Sequence, residues 1–190
     1  TAIVLFALLA IWNEMRDLTL WRNYAISGVL IGIPSTLAIA KADLRLPHYV
    51  QWTISLALSL HYFGGSLAST DPFHLSALRL HGINGAYHTF DWWDHLTHGM
   101  GILASGMGIV YSIEVVNIRR GLGWTRWQVA GVALAAALAA GVAVELYEYG
   151  GKTFFQTIDQ GGYRNTVEDL QYNLLGAAIG VGLGSWANSA

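Results

Sequence analysis

Long apolar runs separated by short polar stretches dominate the sequence. Six runs carry little or no charge and approach the roughly 20 residues that a helix needs to cross a hydrocarbon core of about 30 Å. This pattern predicts an all-α polytopic integral membrane protein, a bundle of about six transmembrane helices forming one domain over residues 1–190. The first run is short, and we expect that helix to continue upstream. The predicted spans are residues 1–12, 24–40, 49–68, 95–117, 127–149 and 170–187.

Tryptophan and tyrosine residues cluster at the ends of these runs. Their amphipathic rings are favoured at the interface between lipid and water, so they support the span boundaries independently of hydropathy. The residues concerned are Trp12, Trp21, Tyr24, Tyr49, Trp52, Trp92, Trp93, Trp124, Trp127 and Trp186.

Composition favours the same class. The chain is 54% hydrophobic and 12% charged, and soluble domains have about twice that charged share. The net charge of -2 and the lack of a basic block argue against nucleic acid as a partner. Because there is no cysteine, disulfides, thiolate metal sites and a cysteine nucleophile are excluded.

Most ionisable side chains are expected at one membrane face. Each crossing reverses the side on which the next connection emerges, so the first, third and fifth connections share a face. All carboxylates except Asp43 and Glu114, and all histidines except His48, fall on or near it. The opposite connections are short and basic, which is the positive-inside pattern and predicts that the acidic face is extracytoplasmic. Their basic residues are Lys41, Arg45, Arg119, Arg120 and Arg126.

The start of the fourth span carries a carboxylate and two histidines at helical spacing. Asp94 and His98 lie four residues apart, and His95 shares their side of the helix. Such groups can ligate a metal, or a carboxylate can orient a histidine for proton transfer. The alternative is a helix-capping aspartate with histidines at the membrane interface.

Two glutamates end the fifth span. Glu145 and Glu148 follow an uncharged run over residues 129–144, and an ionised carboxylate at the centre of a membrane costs about 2.5–3.5 kcal/mol on insertion scales. Alternatively, Glu148 pairs with Lys152 while Glu145 reaches toward the headgroups. A glutamate side chain reaches less far than a lysine, which favours a functional role for Glu145.

The last span opens with polar residues and continues with spaced glycines. Asp169 and Asn173 share one side of the helix, although acidic residues are also favoured at a helix N-terminus without any function. Gly176, Gly180 and Gly184 recur every fourth residue, a spacing that lets helices approach closely in lipid. Close packing would bring the polar starts of the fourth and sixth spans together.

Three segments carry a family resemblance: WDHLTH at residues 93–98, ELYEY at 145–149 and DLQYNLLG at 169–176. Together they resemble the YjdF-like family of bacterial and archaeal membrane proteins and, more distantly, the VanZ-like family. The chain departs from the VanZ-like pattern at His95, where those proteins often have lysine. The resemblance implies a polar site formed by Asp94, His98, Glu145, Arg164, Asp169 and Asn173.

Three functions remain open at this point. The first is a membrane enzyme with a Zn, Fe or Mn site that a substrate reaches from the lipid headgroups. The second is a non-catalytic accessory subunit of a larger membrane complex, and the third is a transporter or proton pathway. For the enzyme, the candidate catalytic residues are Glu145, Asp94, Arg164 and Asn173, and the candidate metal ligands are Asp94, His95, His98, Glu145, Glu148, Asp169 and His61.

Overall fold

A computed structural model describes residues 2–15, 19–41, 43–66, 86–90, 92–155 and 161–188. Within these ranges all regular structure is helical, which confirms the all-α prediction. The helices are α1 (Ala2–Met15), α2 (Thr19–Lys41), α3 (His48–Ser66), α4 (Ala86–Thr89), α5 (Trp93–Arg120), α6 (Arg126–Phe155) and α7 (Tyr163–Ala187). Several residues assigned above to the acidic face lie outside the described ranges: Asp17, Asp71, Asp91, Asp159, His74 and His81.

Each predicted span coincides with a long stretch of one helix, but the structure supports membrane crossing most directly for two. Among the described residues, Trp93–Arg120 and Arg126–Phe154 are long and apolar enough to span a bilayer. Helix α7 is also long, but its first two turns contain the polar residues before Leu170. The crossing of all six spans stays a prediction.

The predicted spans 127–149 and 170–187 leave a connection over residues 150–169, and this prediction was wrong at both ends. Helix α6 continues through Gly150 and Gly151 to Phe155, and α7 already begins at Tyr163. A glycine within a helix costs only about 1 kcal/mol relative to alanine, so two glycines do not stop a helix that has already propagated. Gly162 does lie outside α7, because its φ of 98° is a left-handed conformation that favours glycine.

The chain divides into two compact units. The first comprises Thr1–Arg45 and Leu58–Asp94. Its core contains Phe6 and Leu9 of α1, Ala25 of α2 and Tyr62 of α3, with the rings of Phe6 and Tyr62 4.6 Å apart. Arg22 of α2 forms an ion pair with Glu14 of α1, which ties the two helices together at their polar ends.

The second unit, Leu46–Ala57 with His95–Ala190, is built on α5, α6 and α7. Each layer of its core takes side chains from all three helices. One layer contains Ile102, Ala137 and Ala177. The next layer contains Val110, Val129, Ala133 and Val181.

Glycines bring the backbones of α5 and α7 into direct contact. A methyl group at Gly176 would collide with the carbonyl oxygen of Gly99, and one at Gly180 would collide with that of Leu103. On α5, Gly106 faces the backbone of Val181, and a methyl group there would lie 3.2 Å from its nitrogen. The prediction that the spaced glycines serve close helix packing is therefore confirmed.

The connection between α5 and α6 is short and well bonded. The Asn117 side chain accepts a hydrogen bond from the Trp124 N–H and donates one to the Trp124 carbonyl oxygen, both at 3.0 Å. Thr125 and Gln128 exchange side-chain and backbone hydrogen bonds as a capping box at the start of α6. The two helices are therefore joined as a defined hairpin.

Substituting Gly180→Ala should destabilise the protein. The added methyl group would collide with the carbonyl oxygen of Leu103, so it can be accommodated only if α5 and α7 move apart. Overpacking of this kind costs about 1–3 kcal/mol. Thermal or denaturant unfolding in detergent measures the loss.

Gly182→Ala is the matched control on the same helix, because nothing lies within 4 Å of a methyl group there. It should leave stability unchanged or slightly raised, since alanine is the better helix former. Equal stability for the two variants would contradict the close contact between α5 and α7.

Candidate functional site

Three helices of the second unit contribute polar side chains to one region. His95 and His98 lie one turn apart on α5, and Glu145 and Glu148 lie one turn apart on α6. Asp169 is the first buried residue of α7. Residues three or four apart share one side of a helix. The two histidines therefore lie on one side of α5, and the two glutamates lie on one side of α6.

His98 lies between the two glutamates of α6. Its Nδ1 is 3.3 Å from Oε1 of Glu145 and its Nε2 is 3.5 Å from Oε1 of Glu148. One ring nitrogen and one oxygen from each glutamate lie within 4.8 Å of one another. We call these three residues the His98 cluster, and it forms a group that could hold a metal ion.

The separations in the His98 cluster are longer than those of hydrogen bonds to ionised groups, which are about 2.7–2.9 Å. Two ligands each about 2.0–2.2 Å from one ion lie about 3.0–3.6 Å apart at ordinary coordination angles. The two contacts fall on different ring nitrogens of His98, whereas an imidazole binds one ion through one nitrogen, so only one of the two separations can be that of two ligands of the same cation.

His95 is held differently. Its Nδ1 donates a hydrogen bond of 2.8 Å to Oδ1 of Asp169, which is fully buried. Its ring stacks on Tyr172, with centroids 4.9 Å apart and planes 3° from parallel. A carboxylate on Nδ1 fixes the tautomer of a histidine and leaves Nε2 to act on another group. In this structure Nε2 faces Glu168, 3.5 Å from its Oε2.

From His95 the network continues to an exposed arginine. Arg164, whose side chain is 90% exposed, donates a hydrogen bond of 2.8 Å to Oε1 of Glu168. This hydrogen bond and the positive charge of Arg164 hold the pKa of Glu168 below its ordinary value. Solvent contact decreases along the chain of contacts from Arg164 to Glu168, His95 and Asp169, so the network connects the surface with the interior.

Glu145 and Asn173 are buried polar side chains. Glu145 is 5% exposed and Asn173 is 1% exposed. Within the part of the chain that the structure describes, neither amide atom of Asn173 has a hydrogen-bond partner, whereas the Glu145 carboxylate faces the side chains of Thr166 and His98. A buried polar group without a partner costs about 1–3 kcal/mol, more if it is charged.

The structure brings together most of the predicted site residues of the second unit. His98, Glu145 and Glu148 form one group and His95 with Asp169 another, and the contact of His95 with Asp169 confirms that the polar starts of α5 and α7 meet. Arg164 lies at the exposed end of the network through its contact with Glu168. Tyr172 was not among the predicted site residues, although it follows Asp169 by three residues and so shares its side of α7.

Two predicted ligands belong to the first unit. The Nδ1 of His61 is 2.7 Å from the hydroxyl of Tyr87. Asp94 lies in the first turn of α5, one turn before His98 on the same helix. Their inclusion in a ligand set stays a prediction.

The whole chain, residues 1–190, matches a family described as predicted membrane protein, DUF2238. The chain belongs to this family. No curated protein and no solved structure matches it. Membership establishes a membrane protein and fits the YjdF-like resemblance, whereas the more distant likeness to VanZ-like proteins stays a prediction.

Arg164→Ala should raise the pKa of Glu168 toward its ordinary value, because the variant removes both the hydrogen-bond donor and the positive charge. Because the pKa of Glu168 is lower in the folded protein than in the unfolded chain, the Arg164–Glu168 pair stabilises the fold at pH values above the unfolded pKa. This stabilisation is lost as the pH falls through the lowered pKa of the folded protein. Titration of the ¹³C-labelled carboxyl group by NMR measures the change. Arg119→Ala, in the last turn of α5, is the control and should leave this pKa unchanged.

Proposed function

We propose that this chain is a metal-dependent membrane enzyme. The His98 cluster binds one divalent cation, in a six-helix bundle whose polar face opens toward the lipid headgroups. The observation that carries the proposal is that one ring nitrogen of His98 and one carboxylate oxygen from each of Glu145 and Glu148 lie within 4.8 Å of one another, with His98 and Glu145 buried.

Charge balance supports a divalent cation. Ionised Glu145 and Glu148 carry two negative charges between helices, and buried carboxylates require a compensating charge. A neutral His98 supplies a nitrogen ligand without adding charge. Three protein ligands are also the usual number in catalytic sites, which keep a position open for water or substrate.

The types of ligand limit which metal ions suit the site. One imidazole and two carboxylates suit Zn, Fe or Mn. When bound, such an ion polarises a substrate oxygen or lowers the pKa of a water molecule toward neutrality. His95 lies one turn from His98 on α5, and its hydrogen bond with Asp169 leaves Nε2 available to accept or donate a proton.

The positions of the proposed metal ligands along the chain support a substrate that enters from the lipid headgroup region. The metal ligands lie at the start of α5 and near the end of α6, and Asp169 lies near the start of α7. In the six-span topology these three places share one membrane face. The short basic connections on the other side favour an extracytoplasmic location for this face.

Purified protein should bind one divalent ion per chain, measured by metal analysis after loading and desalting. His98→Ala and Glu145→Gln should each lower the affinity at least about tenfold, since the first removes a ligand and the second removes the negative charge of a ligand. His48→Ala and Glu114→Gln are matched controls, because neither residue belongs to the His98 cluster. Absence of bound Zn, Fe or Mn in the wild-type protein, or equal binding by all four variants, would refute the metal site.

The absence of cysteine allows the topology to be tested without background. Single cysteines replacing Met15, Leu122 and Tyr163, which are all exposed, would be labelled with an impermeant maleimide in intact cells. Met15 and Tyr163 should react from outside, and Leu122 only after permeabilisation.

Labelling of Leu122 and Tyr163 from the same side would refute the alternating topology. Reaction of Leu122 alone in intact cells would keep the six spans and reverse the orientation.

A further inference from the structure

We infer that the substrate of the proposed site is a lipid with a terminal phosphate group, and that Arg164 and His95 bind this phosphate where the carboxylate of Glu168 lies in this structure. The inference rests on the proposed function, because it names the class of substrate for that same site. It also predicts a phosphate-binding site that can be measured without following any reaction.

The carboxylate of Glu168 lies between two side chains that can donate hydrogen bonds to an anion. Its Oε1 accepts a hydrogen bond of 2.8 Å from Nε of Arg164, and its Oε2 lies 3.5 Å from Nε2 of His95. Arg164 belongs to the first turn of α7 and His95 to the first turn of α5, so two helices contribute to one position. This geometry is that of a small anion-binding site whose occupant belongs to the chain itself.

Glu168 is a weak occupant of this position. Its contact with His95 is longer than a hydrogen bond between charged groups, which is about 2.7–2.9 Å. Its ion pair with Arg164 is open to solvent, since the arginine side chain is 90% exposed, and exposed ion pairs contribute little to stability. A ligand with a larger negative charge can therefore displace the carboxylate at little cost.

A phosphate monoester fits these donors better than a carboxylate does. Within the described residues Arg164 binds Glu168 through Nε alone, so its terminal amino groups can donate to a second phosphate oxygen, because guanidinium and phosphate pair through parallel hydrogen bonds. A third oxygen can accept from Nε2 of His95, whose Nδ1 is held by Asp169. Near pH 7 a phosphate monoester carries about 1.5–2 negative charges, so it competes well with one carboxylate.

The first turns of α7 also lie against the residues of the His98 cluster. The side chain of Thr166, two residues after Arg164, faces the carboxylate of Glu145. Asp169 has a carboxylate oxygen within 4.8 Å of a ring nitrogen of His98. The phosphate position is therefore next to the proposed cation site, and an arginine with a metal ion is a combination that stabilises the charge on a reacting phosphate.

An exposed apolar stripe leads from this position along α7. Tyr172 stacks on His95 and is itself exposed. The next exposed residues on the same side of the helix are Leu175, Ile179 and Leu183. An acyl chain can lie along this stripe while its phosphate is held at the start of α7, so the site fits a lipid phosphate better than a free phosphate ion.

Binding of a short-chain phosphatidic acid to the protein in detergent, measured by native mass spectrometry, tests the inference. Arg164→Gln should weaken binding at least about tenfold, because it removes charge-assisted hydrogen bonds, and Arg164→Lys should retain part of the affinity. Glu168→Gln should tighten binding, because the competing anion is gone. Arg119→Gln and Glu114→Gln are the matched controls, since both residues lie near the other end of α5, and they should leave the affinity unchanged.

Inorganic phosphate distinguishes the two sources of the phosphate group. It should displace phosphatidic acid only at much higher concentration, because it lacks the acyl chains. Inorganic phosphate that binds as tightly as phosphatidic acid would overturn the assignment to a lipid. Phosphatidylcholine with the same chains should bind more weakly and without dependence on Arg164, since its phosphate is a diester.

Two results overturn the phosphate site. Equal affinity for phosphatidic acid in wild type, Arg164→Gln and Glu168→Gln would exclude it, and weaker binding by Glu168→Gln than by wild type would mean that Glu168 only positions Arg164. Bound metal in a protein whose lipid binding does not depend on Arg164 overturns this inference alone. Binding that depends on Arg164 in a protein without metal refutes the proposed enzyme and leaves a lipid-binding site.

Discussion

The direct contact between the backbones of α5 and α7 is the constraint on which the polar site depends. Lipid offers no hydrophobic force to press helices together, so close association rests on van der Waals packing between small residues. With Gly176 against Gly99 and Gly180 against Leu103, the helices come near enough for His95 to reach Asp169 at 2.8 Å. Larger residues at those glycines would separate the same two side chains, although neither glycine carries any chemistry itself.

The polar groups of the site then fall into two arrangements with different spacing. His95 and Asp169 are joined at hydrogen-bond length, and the stacked ring of Tyr172 fixes the plane of the imidazole. His98 and its glutamates are spaced more widely, at 3.3 and 3.5 Å, and Glu145 is buried. The first arrangement is joined by one short hydrogen bond, and the second is a group of side chains that could hold an ion.

Much of the fold could be predicted from the sequence because helix formation in an apolar chain depends on local composition. The apolar runs gave the helices, and the isolated Glu145 marked the site because a charge after an uncharged run of that length is costly. The ends of α6 and α7 were misjudged, since hydropathy reports the membrane boundary whereas a helix ends only where its hydrogen bonding ends. Sequence alone also could not show which nitrogen of His95 would meet Asp169, or that the other would face Glu168, because both depend on the rotation of one helix about another.

The bonded connection between α5 and α6 has a consequence for how the protein is made. Asn117 closes this connection through both backbone groups of Trp124, so the two helices can enter the bilayer as one inserted pair. His98, Glu145 and Glu148 are all on that pair, whereas Asp169 and Asn173 are on the helix that leaves the ribosome afterwards. During synthesis, all three residues of the His98 cluster are therefore present before the helix that carries Asp169 has been made.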